Sequence, residues 1–320
     1  MAYHNEMTRV QIPALVHLTR LGYTYVSIKK RLKEFDVQTN IHTTVFKSQF
    51  LRLNENATAA DFDRVLANIK MQLDENNLGK NFYMDLIDKG DLAYKLIDWE
   101  EPDNNTYTVV TELENINDED SFRPDITVFI NGLPLVFVEV KQPNAIRDGV
   151  TGIVSEAKRT TLRLQNPKFK KFNNITQFMI FSDNQPNVLE AGVPLQGAYY
   201  TAPSVSSVKF NVFRESHPGQ LNDLLKPINE QTVKEILSDV NKQIMFTSPE
   251  FKSNLSEGTP TNQILTSLLT KTRLLTLLRY GIAYVQKIDN TTQQTIYEKH
   301  IMRYPQFFAM NAIQKNLKTM

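Results

Sequence analysis

The chain has 320 residues, of which 41% are hydrophobic and 22% charged, a globular composition that allows two domains and excludes extended disorder. Its net charge of +1 excludes a bulk polycation, so contact with nucleic acid would need a local basic face. It has no cysteine, which excludes disulfides and thiolate nucleophiles, and no secretory signal or uncharged apolar span, so we expect a cytoplasmic protein without membrane contact.

Two amphipathic helices are predicted near the start of the chain. Apolar residues recur at helical spacing in residues 8–21, and Gly22 follows as a stop signal. Residues 60–73 show the same period, and Thr58 with Asp61 resembles a capping box at the beginning of that helix.

Short segments rich in β-branched and aromatic residues follow, and we predict strands in them. They are residues 94–99, 107–113, 125–130 and 135–140. Asn131 and Gly132 predict a tight hairpin between the last two, because that turn requires positive φ. A helix is predicted at residues 150–164 and further strands at 176–181 and 208–213. This order is typical of an α/β core.

The pattern becomes helical after about residue 227, and we predict a boundary there between a domain of residues 1–227 and a helical segment of residues 228–320. Thr232 and Glu235 predict a capping box. The next elements predicted are a loop at residues 254–261, one or two helices at 261–285 and a last helix that begins at Tyr304 and Pro305.

Three charged residues are predicted to meet at one end of the sheet. Because side chains alternate along a strand, Glu139 and Lys141 share one face about 6.6 Å apart while Val140 points into the core. The hairpin returns Asp125 beside Glu139. Two carboxylates suit Mg²⁺, which prefers oxygen ligands at about 2.0–2.1 Å and makes bound water more acidic. Lys141 would orient the attacking water or stabilise charge on a phosphate. The pattern therefore predicts phosphodiester hydrolysis.

A purely structural role is the alternative for these residues. Charged side chains at strand ends often face solvent, and the pattern Glu-x-Lys is common. The continuously apolar residues 135–138 favour the site, because an unpaired charge that follows a buried strand is costly.

The pair Pro124-Asp125, a spacer of 13 residues and the triplet Glu139-Val140-Lys141 match the Pro-Asp…Glu-x-Lys nuclease signature. The stretch around them closely resembles the N-terminal domain of the restriction (R) subunit of type I restriction–modification enzymes. It reads FRPDITVFINGLPLVFVEVKQPN, and supporting stretches are LIDWEEPDNN at 96–105, FNNITQFMIFSDN at 172–184 and RYPQFFA at 303–309.

The resemblance implies a restriction-endonuclease-like mixed sheet flanked by helices and followed by a mainly helical segment. It implies Asp125, Glu139 and the Val140 carbonyl as Mg²⁺ ligands and Lys141 as the catalytic lysine. It also implies double-stranded DNA as substrate, with modification and specificity subunits as partners.

One element of the family pattern is missing. Many members carry a Gln-x-x-x-Tyr element on the helix after the lysine, and residues 153–161 contain no such pair. Its contribution is either absent here or supplied by other residues, for which Glu156 and Arg159 are the candidates.

Members of this family also translocate DNA with ATP through a downstream motor. The chain has no Gly-x-x-x-x-Gly-Lys-Ser/Thr sequence to cradle a phosphate. We therefore expect a fragment without ATPase activity, with ATP bound only by the full-length subunit.

A basic run follows the candidate site, with no acid from residue 157 to residue 182. It is as compatible with a merely solvated face as with contacts to the DNA backbone. The candidate DNA-binding residues are Lys158, Arg159, Arg163, Lys168, Lys170 and Lys171.

Two other functions remain open at this point. One is a docking module that binds DNA or the methyltransferase core without cutting. The other is a stand-alone repair or recombination nuclease, against which residues 304–309 argue, because such a nuclease needs no segment leading into a helicase.

Overall fold

The structure is a computed structural model that describes residues 5–318 apart from 118, 145, 148, 191–192, 205–207, 218, 289 and 291–292. Its α-helices are α1 (Ile12–Arg20), α2 (Ile28–Arg31), α3 (Thr43–Leu53), α4 (Ala59–Gln72), α5 (Lys80–Leu86), α6 (Gly152–Gln165), α7 (Lys170–Ile175), α8 (Glu230–Asp239), α9 (Pro249–Asn254), α10 (Pro260–Leu269), α11 (Lys271–Tyr280) and α12 (Tyr304–Lys318). Its strands are β1 (Thr24–Tyr25), β2 (Tyr107–Thr111), β3 (Asn115–Asn117), β4 (Asp120–Phe122), β5 (Ile126–Ile130), β6 (Leu133–Val140), β7 (Ile146–Arg147), β8 (Val150–Thr151), β9 (Phe178–Ser182), β10 (Val188–Glu190), β11 (Val193–Gln196), β12 (Ala198–Thr201), β13 (Ile282–Ile288) and β14 (Thr295–Ile301).

A mixed sheet forms the centre of the molecule, with the strand order β1-β2-β5-β6-β9-β12 within the described residues. The pairs β1–β2 and β6–β9 are parallel. The pairs β2–β5, β5–β6 and β9–β12 are antiparallel. With helices on both faces, this architecture confirms the predicted α/β class.

The turn between β5 and β6 is the predicted hairpin. Asn131 and Gly132 have φ of 52° and 83°, and Ile130 pairs with Leu133 across them. The Asn131 side chain donates to the Leu96 carbonyl at 3.0 Å and accepts from the Thr106 amide at 2.8 Å. The turn is therefore fixed by its neighbours as well as by its own backbone.

Strand β6 separates two hydrophobic clusters. Val136, Val138 and Val140 belong to the larger one, which includes α1, α3, α4 and the C-terminal helices. Phe137 points to the opposite face and packs beneath α6 and α7 in the smaller one. The smaller cluster consists of Phe122, Phe137, Leu164, Phe169, Phe172, Met179 and Phe181. This second face is the one that carries the candidate site.

The N-terminal helices are largely as predicted. The capping box of Thr58 and Asp61 is present at α4. The first predicted helix is α1, preceded by a π-helical turn at Met7–Gln11. Helix α6 begins at Gly152, after the short strand β8, and so slightly later than predicted.

Two predicted strands are wrong. Residues 94–99 form no strand; the Lys95 and Leu96 carbonyls are instead bound by the side chains of Asn54 and Asn131. Residues 208–213 contribute only one bridge, between Asn211 and Tyr200, and the sixth strand of the sheet is β12. Aromatic packing holds residues 208–213, with the Phe210 ring 5.2 Å from that of Phe181.

The C-terminal predictions need two corrections. Helix α8 is capped by Asn229, which accepts from the amides of Gln231 and Thr232, and so the capping box predicted at Thr232 and Glu235 is wrong. The helical prediction for residues 261–285 holds for α10 and α11 but fails after Gly281, where β13 pairs with β14 in a hairpin. Helix α12 begins at Tyr304 as predicted.

Residues on both sides of position 228 share the larger hydrophobic cluster. The Tyr23 hydroxyl donates to the Leu269 carbonyl at 2.7 Å, and Nε2 of His17 lies 2.7 Å from Oγ1 of Thr266. The division of the chain at residue 228 stays a prediction. Each helix in the described part of the chain is too short or too polar to cross a lipid bilayer.

Candidate active site

The register of the β5–β6 hairpin brings the predicted acids together. Ile126 is paired with Val138, so Asp125 lies beside Glu139 at the end of the sheet. The Asp125 carbonyl accepts hydrogen bonds from Nε2 of Gln11 at 2.9 Å and Oγ1 of Thr111 at 3.0 Å. Gln11 comes from the π-helical turn, a motif that is frequent at functional sites. The backbone of Asp125 is therefore fixed from outside its own hairpin.

The Asp125 carboxylate and Lys141 meet at the same place. Oδ2 of Asp125 accepts a hydrogen bond from the Val140 amide at 2.7 Å. Nζ of Lys141 lies 3.9 Å from that oxygen and 3.6 Å from Oε2 of Glu139. Glu139 and Lys141 are only 4% and 6% exposed. The structure thus brings together the three predicted catalytic residues.

The Val140 carbonyl, a predicted metal ligand, also lies at this point. It accepts a hydrogen bond from Nζ of Lys141 at 2.7 Å. A carbonyl oxygen has two lone pairs, so this bond leaves one acceptor position. Its role as a metal ligand stays a prediction.

Two residues of helix α6 complete the cluster. Oε2 of Glu156 lies 3.4 Å from Nζ of Lys141, and Glu156 is 1% exposed. Nη1 of Arg163 lies 3.3 Å from Glu139 and 3.1 Å from Glu156. Arg159 is half exposed and reaches the cluster only through Glu156, at 3.0 Å. Of the two candidates for replacing the missing family element, Glu156 is the one that contacts Lys141.

Arg163 was predicted only as a DNA-binding residue, and its place in the acid cluster beside Glu139 and Glu156 was not predicted. Glu156 and Arg163 are seven positions apart and so lie on one face of a helix, which was a usable signal. Arg163 also lies over the Phe122 ring, with its guanidinium carbon 4.9 Å from the ring centre. This contact ties the guanidinium to the smaller hydrophobic cluster.

Burial and charge shift the acid–base behaviour of the cluster. Burial, followed by the charges of Asp125 and Glu156, raises the pKa of Glu139 well above its usual range. Burial also raises the pKa of Asp125, against the opposing effect of Lys141. Burial alone would lower the pKa of Lys141, but the Glu139, Asp125 and Glu156 carboxylates raise it above its usual value.

The donor set fits a hard divalent cation. Two carboxylates and one carbonyl lie at one end of the sheet, and Mg²⁺ typically takes one or two protein carboxylates together with water and substrate phosphate. Among the described residues, no three His, Cys, Asp or Glu side chains are grouped so as to hold a metal ion. Two carboxylates and a carbonyl would leave the other coordination positions of such an ion to water and phosphate.

The predicted basic residues of α6 do not share one environment. Lys158 is exposed and Arg159 half exposed, whereas the Arg163 side chain is 14% exposed and paired within the acid cluster.

The remaining predicted basic residues lie around α7 and pair with surface acids. Lys168 lies 3.1 Å from Asp120, and Lys170 and Lys171 lie 3.4 and 3.9 Å from Asp74. The six residues thus form separate groups, and DNA binding by them stays a prediction.

The chain is similar to known proteins of one family. A family model described as type I restriction enzyme R protein N terminus matches residues 3–187. A putative type I restriction enzyme MjaIXP endonuclease subunit of Methanocaldococcus jannaschii is 29% identical over 162 residues, covering 44% of this chain and 16% of that protein. A putative MjaVIIP endonuclease subunit of the same organism is 26% identical over 138 residues, covering 42% and 13%. The chain thus matches less than a fifth of the length of these relatives.

Proposed function

Since the chain belongs to the family of type I restriction enzyme R protein N termini, we propose that it is a Mg²⁺-dependent endonuclease domain that hydrolyses phosphodiester bonds of double-stranded DNA. The observation that supports this most is the placement of the Lys141 ammonium within 3.9 Å of the carboxylates of Asp125, Glu139 and Glu156. An ammonium group beside carboxylates that could hold a metal ion can stabilise the negative charge that develops on a phosphate.

The metal would be held by Asp125, Glu139 and the Val140 carbonyl. When bound there, it would polarise the scissile phosphate and make a coordinated water more acidic. Asp125 suits this role because the Val140 amide fixes one carboxylate oxygen, while Gln11 and Thr111 fix its carbonyl. A ligand oriented in this way loses little freedom on binding.

Lys141 would act as a cation in this reaction. The neighbouring carboxylates overcome the effect of burial and raise its pKa, so the side chain carries a proton at neutral pH. A protonated amine donates hydrogen bonds but cannot accept a proton. We therefore assign to it the stabilisation of negative charge on the phosphate.

The partners proposed for this site follow the family resemblance. They are double-stranded DNA as substrate and modification and specificity subunits that select the target. We further propose a cytoplasmic location, which a DNA restriction activity would require.

A cleavage assay tests the proposal. Circular double-stranded DNA is incubated with Mg²⁺ and the chain, with and without modification and specificity subunits and ATP. Asp125→Asn and Lys141→Met should each lower the cleavage rate by at least about 10²-fold, the order found for removing one group that stabilises transition-state charge. Exposed residues of the same types, Asp223 and Lys252, supply the matched controls Asp223→Asn and Lys252→Met.

The outcomes separate the alternatives. Cleavage at the wild-type rate by either site variant would place the chemistry elsewhere. A wild-type chain that binds DNA but cuts in neither setting would favour the non-cleaving docking module. Efficient cleavage without partner subunits or ATP would favour a stand-alone nuclease.

A further inference from the structure

Four side chains of the site form a closed ring of ion pairs. Glu139 uses Oε2 for Lys141 at 3.6 Å and Oε1 for Arg163 at 3.3 Å. Glu156 uses Oε2 for Lys141 at 3.4 Å and Oε1 for Arg163 at 3.1 Å. Each carboxylate thus holds both cations, and each cation is held by both carboxylates.

The two carboxylates differ in what else they face. Glu139 lies beside Asp125, so it is the one available to a metal ion. Glu156 is 1% exposed on α6, and its one further partner among the ion pairs of the described residues is Arg159. A divalent cation on Glu139 would remove most of its attraction for Lys141 and Arg163 and would repel both. The Glu156 carboxylate would then be their principal remaining anchor.

We propose that Glu156 is a positioning residue that keeps Lys141 and Arg163 in place beside Glu139 when Glu139 binds the divalent cation. The inference rests on the proposed nuclease function. Arg163 would also compete with the metal, because its guanidinium is held against Glu139. Phe122 limits how far Arg163 can move away, since the guanidinium lies over its ring.

The proposal predicts shifts of opposite sign in metal affinity. In Glu156→Gln, both cations can pair only with Glu139 and Asp125, so Mn²⁺ binding should weaken about tenfold. In Arg163→Met, one competitor is gone, so Mn²⁺ binding should tighten by about threefold or more. The Mn²⁺ affinity of the double variant should lie between the affinities of the two single variants. A merely structural role for these residues would weaken binding in both single variants.

The measurement is a titration of the whole chain with Mn²⁺, followed by electron paramagnetic resonance of the free ion. Glu55→Gln and Arg52→Met, exposed residues of the same types on and after α3, are the controls. Glu156→Asp keeps the charge and should stay within about threefold of wild type. In the cleavage assay at saturating Mg²⁺, Glu156→Gln should lower kcat at least about tenfold and leave KM for DNA within about twofold.

The failures can be told apart. If the wild type neither binds Mn²⁺ nor cuts DNA, both the nuclease function and this inference are overturned. If the wild type binds Mn²⁺ but both single variants shift in one direction, or neither departs from its control, the role of Glu156 alone is overturned. Should Glu156→Gln fail to fold, the sign of the Arg163→Met shift decides the matter.

Discussion

Lys299 provides a test of how this fold tolerates a buried charge. Its side chain lies in β14 and is 2% exposed, and its Nζ donates to the Thr176 carbonyl at 2.7 Å. The Tyr284 ring centre lies 5.4 Å from Nζ, and among the described residues no carboxylate pairs with it. Burial lowers the pKa of Lys299 well below its ordinary value of 10.5.

The sign of the effect on stability follows from proton binding. Between the lowered pKa and 10.5, the unfolded chain binds more protons at Lys299 than the folded chain does. Stability must therefore rise with pH in this window, by up to about 1.4 kcal/mol per pH unit. The contribution of Lys299 to stability should therefore grow as the pH rises towards 10.5.

Lys299→Met isolates this contribution, because methionine has a similar length and no charge. Urea unfolding of wild type and variant at several pH values gives the free energy of unfolding as a function of pH. The two curves should converge or cross, because the wild type gains stability as the pH rises. The exposed Lys252→Met is the control and should run parallel to wild type. Parallel curves for Lys299→Met would refute the buried-lysine argument.

Three further predictions follow from other parts of the molecule. Gly132→Ala should destabilise the chain by about 2 kcal/mol or more in urea unfolding, since φ is 83° and a Cβ there would lie 2.7 Å from the His42 carbonyl oxygen. An unchanged midpoint would contradict this. Phe172→Ala should cost about 3–5 kcal/mol in the same measurement, because the ring is buried against Phe122 with centroids 4.8 Å apart; a loss below 1 kcal/mol would show that the cluster refills the space. Lys158→Ala should weaken DNA binding and lower the slope of log affinity against log salt by about one, measured by fluorescence anisotropy, and an unchanged slope would exclude a phosphate contact.

The sequence predicted the hairpin and its three charged residues because local rules determine them. The Asn131-Gly132 turn sets the register of β5 and β6, and strand alternation then places Glu139 and Lys141 on one face. One uninterrupted stretch of chain therefore specified the core of the candidate site. The sequence also shows which face of its helix Glu156 lies on. It does not show which strand that face contacts, because the contact depends on how α6 packs on β6.

Other elements were missed because tertiary contacts override a local pattern. Residues 94–99 have strand-like composition, and Leu96 and Ile97 are buried. Their neighbouring backbone groups are bound by asparagine side chains, so no ladder forms. The hairpin of β13 and β14 continues the apolar run of α11, and periodicity alone does not separate a short strand from a buried helix.

The contact between α1 and α10 connects the candidate site to the C-terminal helices. His17 and Thr266 join the two helices, and α1 continues directly from the turn that carries Gln11. Gln11 in turn donates a hydrogen bond to the Asp125 carbonyl. A displacement of α10 would therefore be passed through α1 and Gln11 to the backbone of Asp125, one of the residues proposed above to bind the metal.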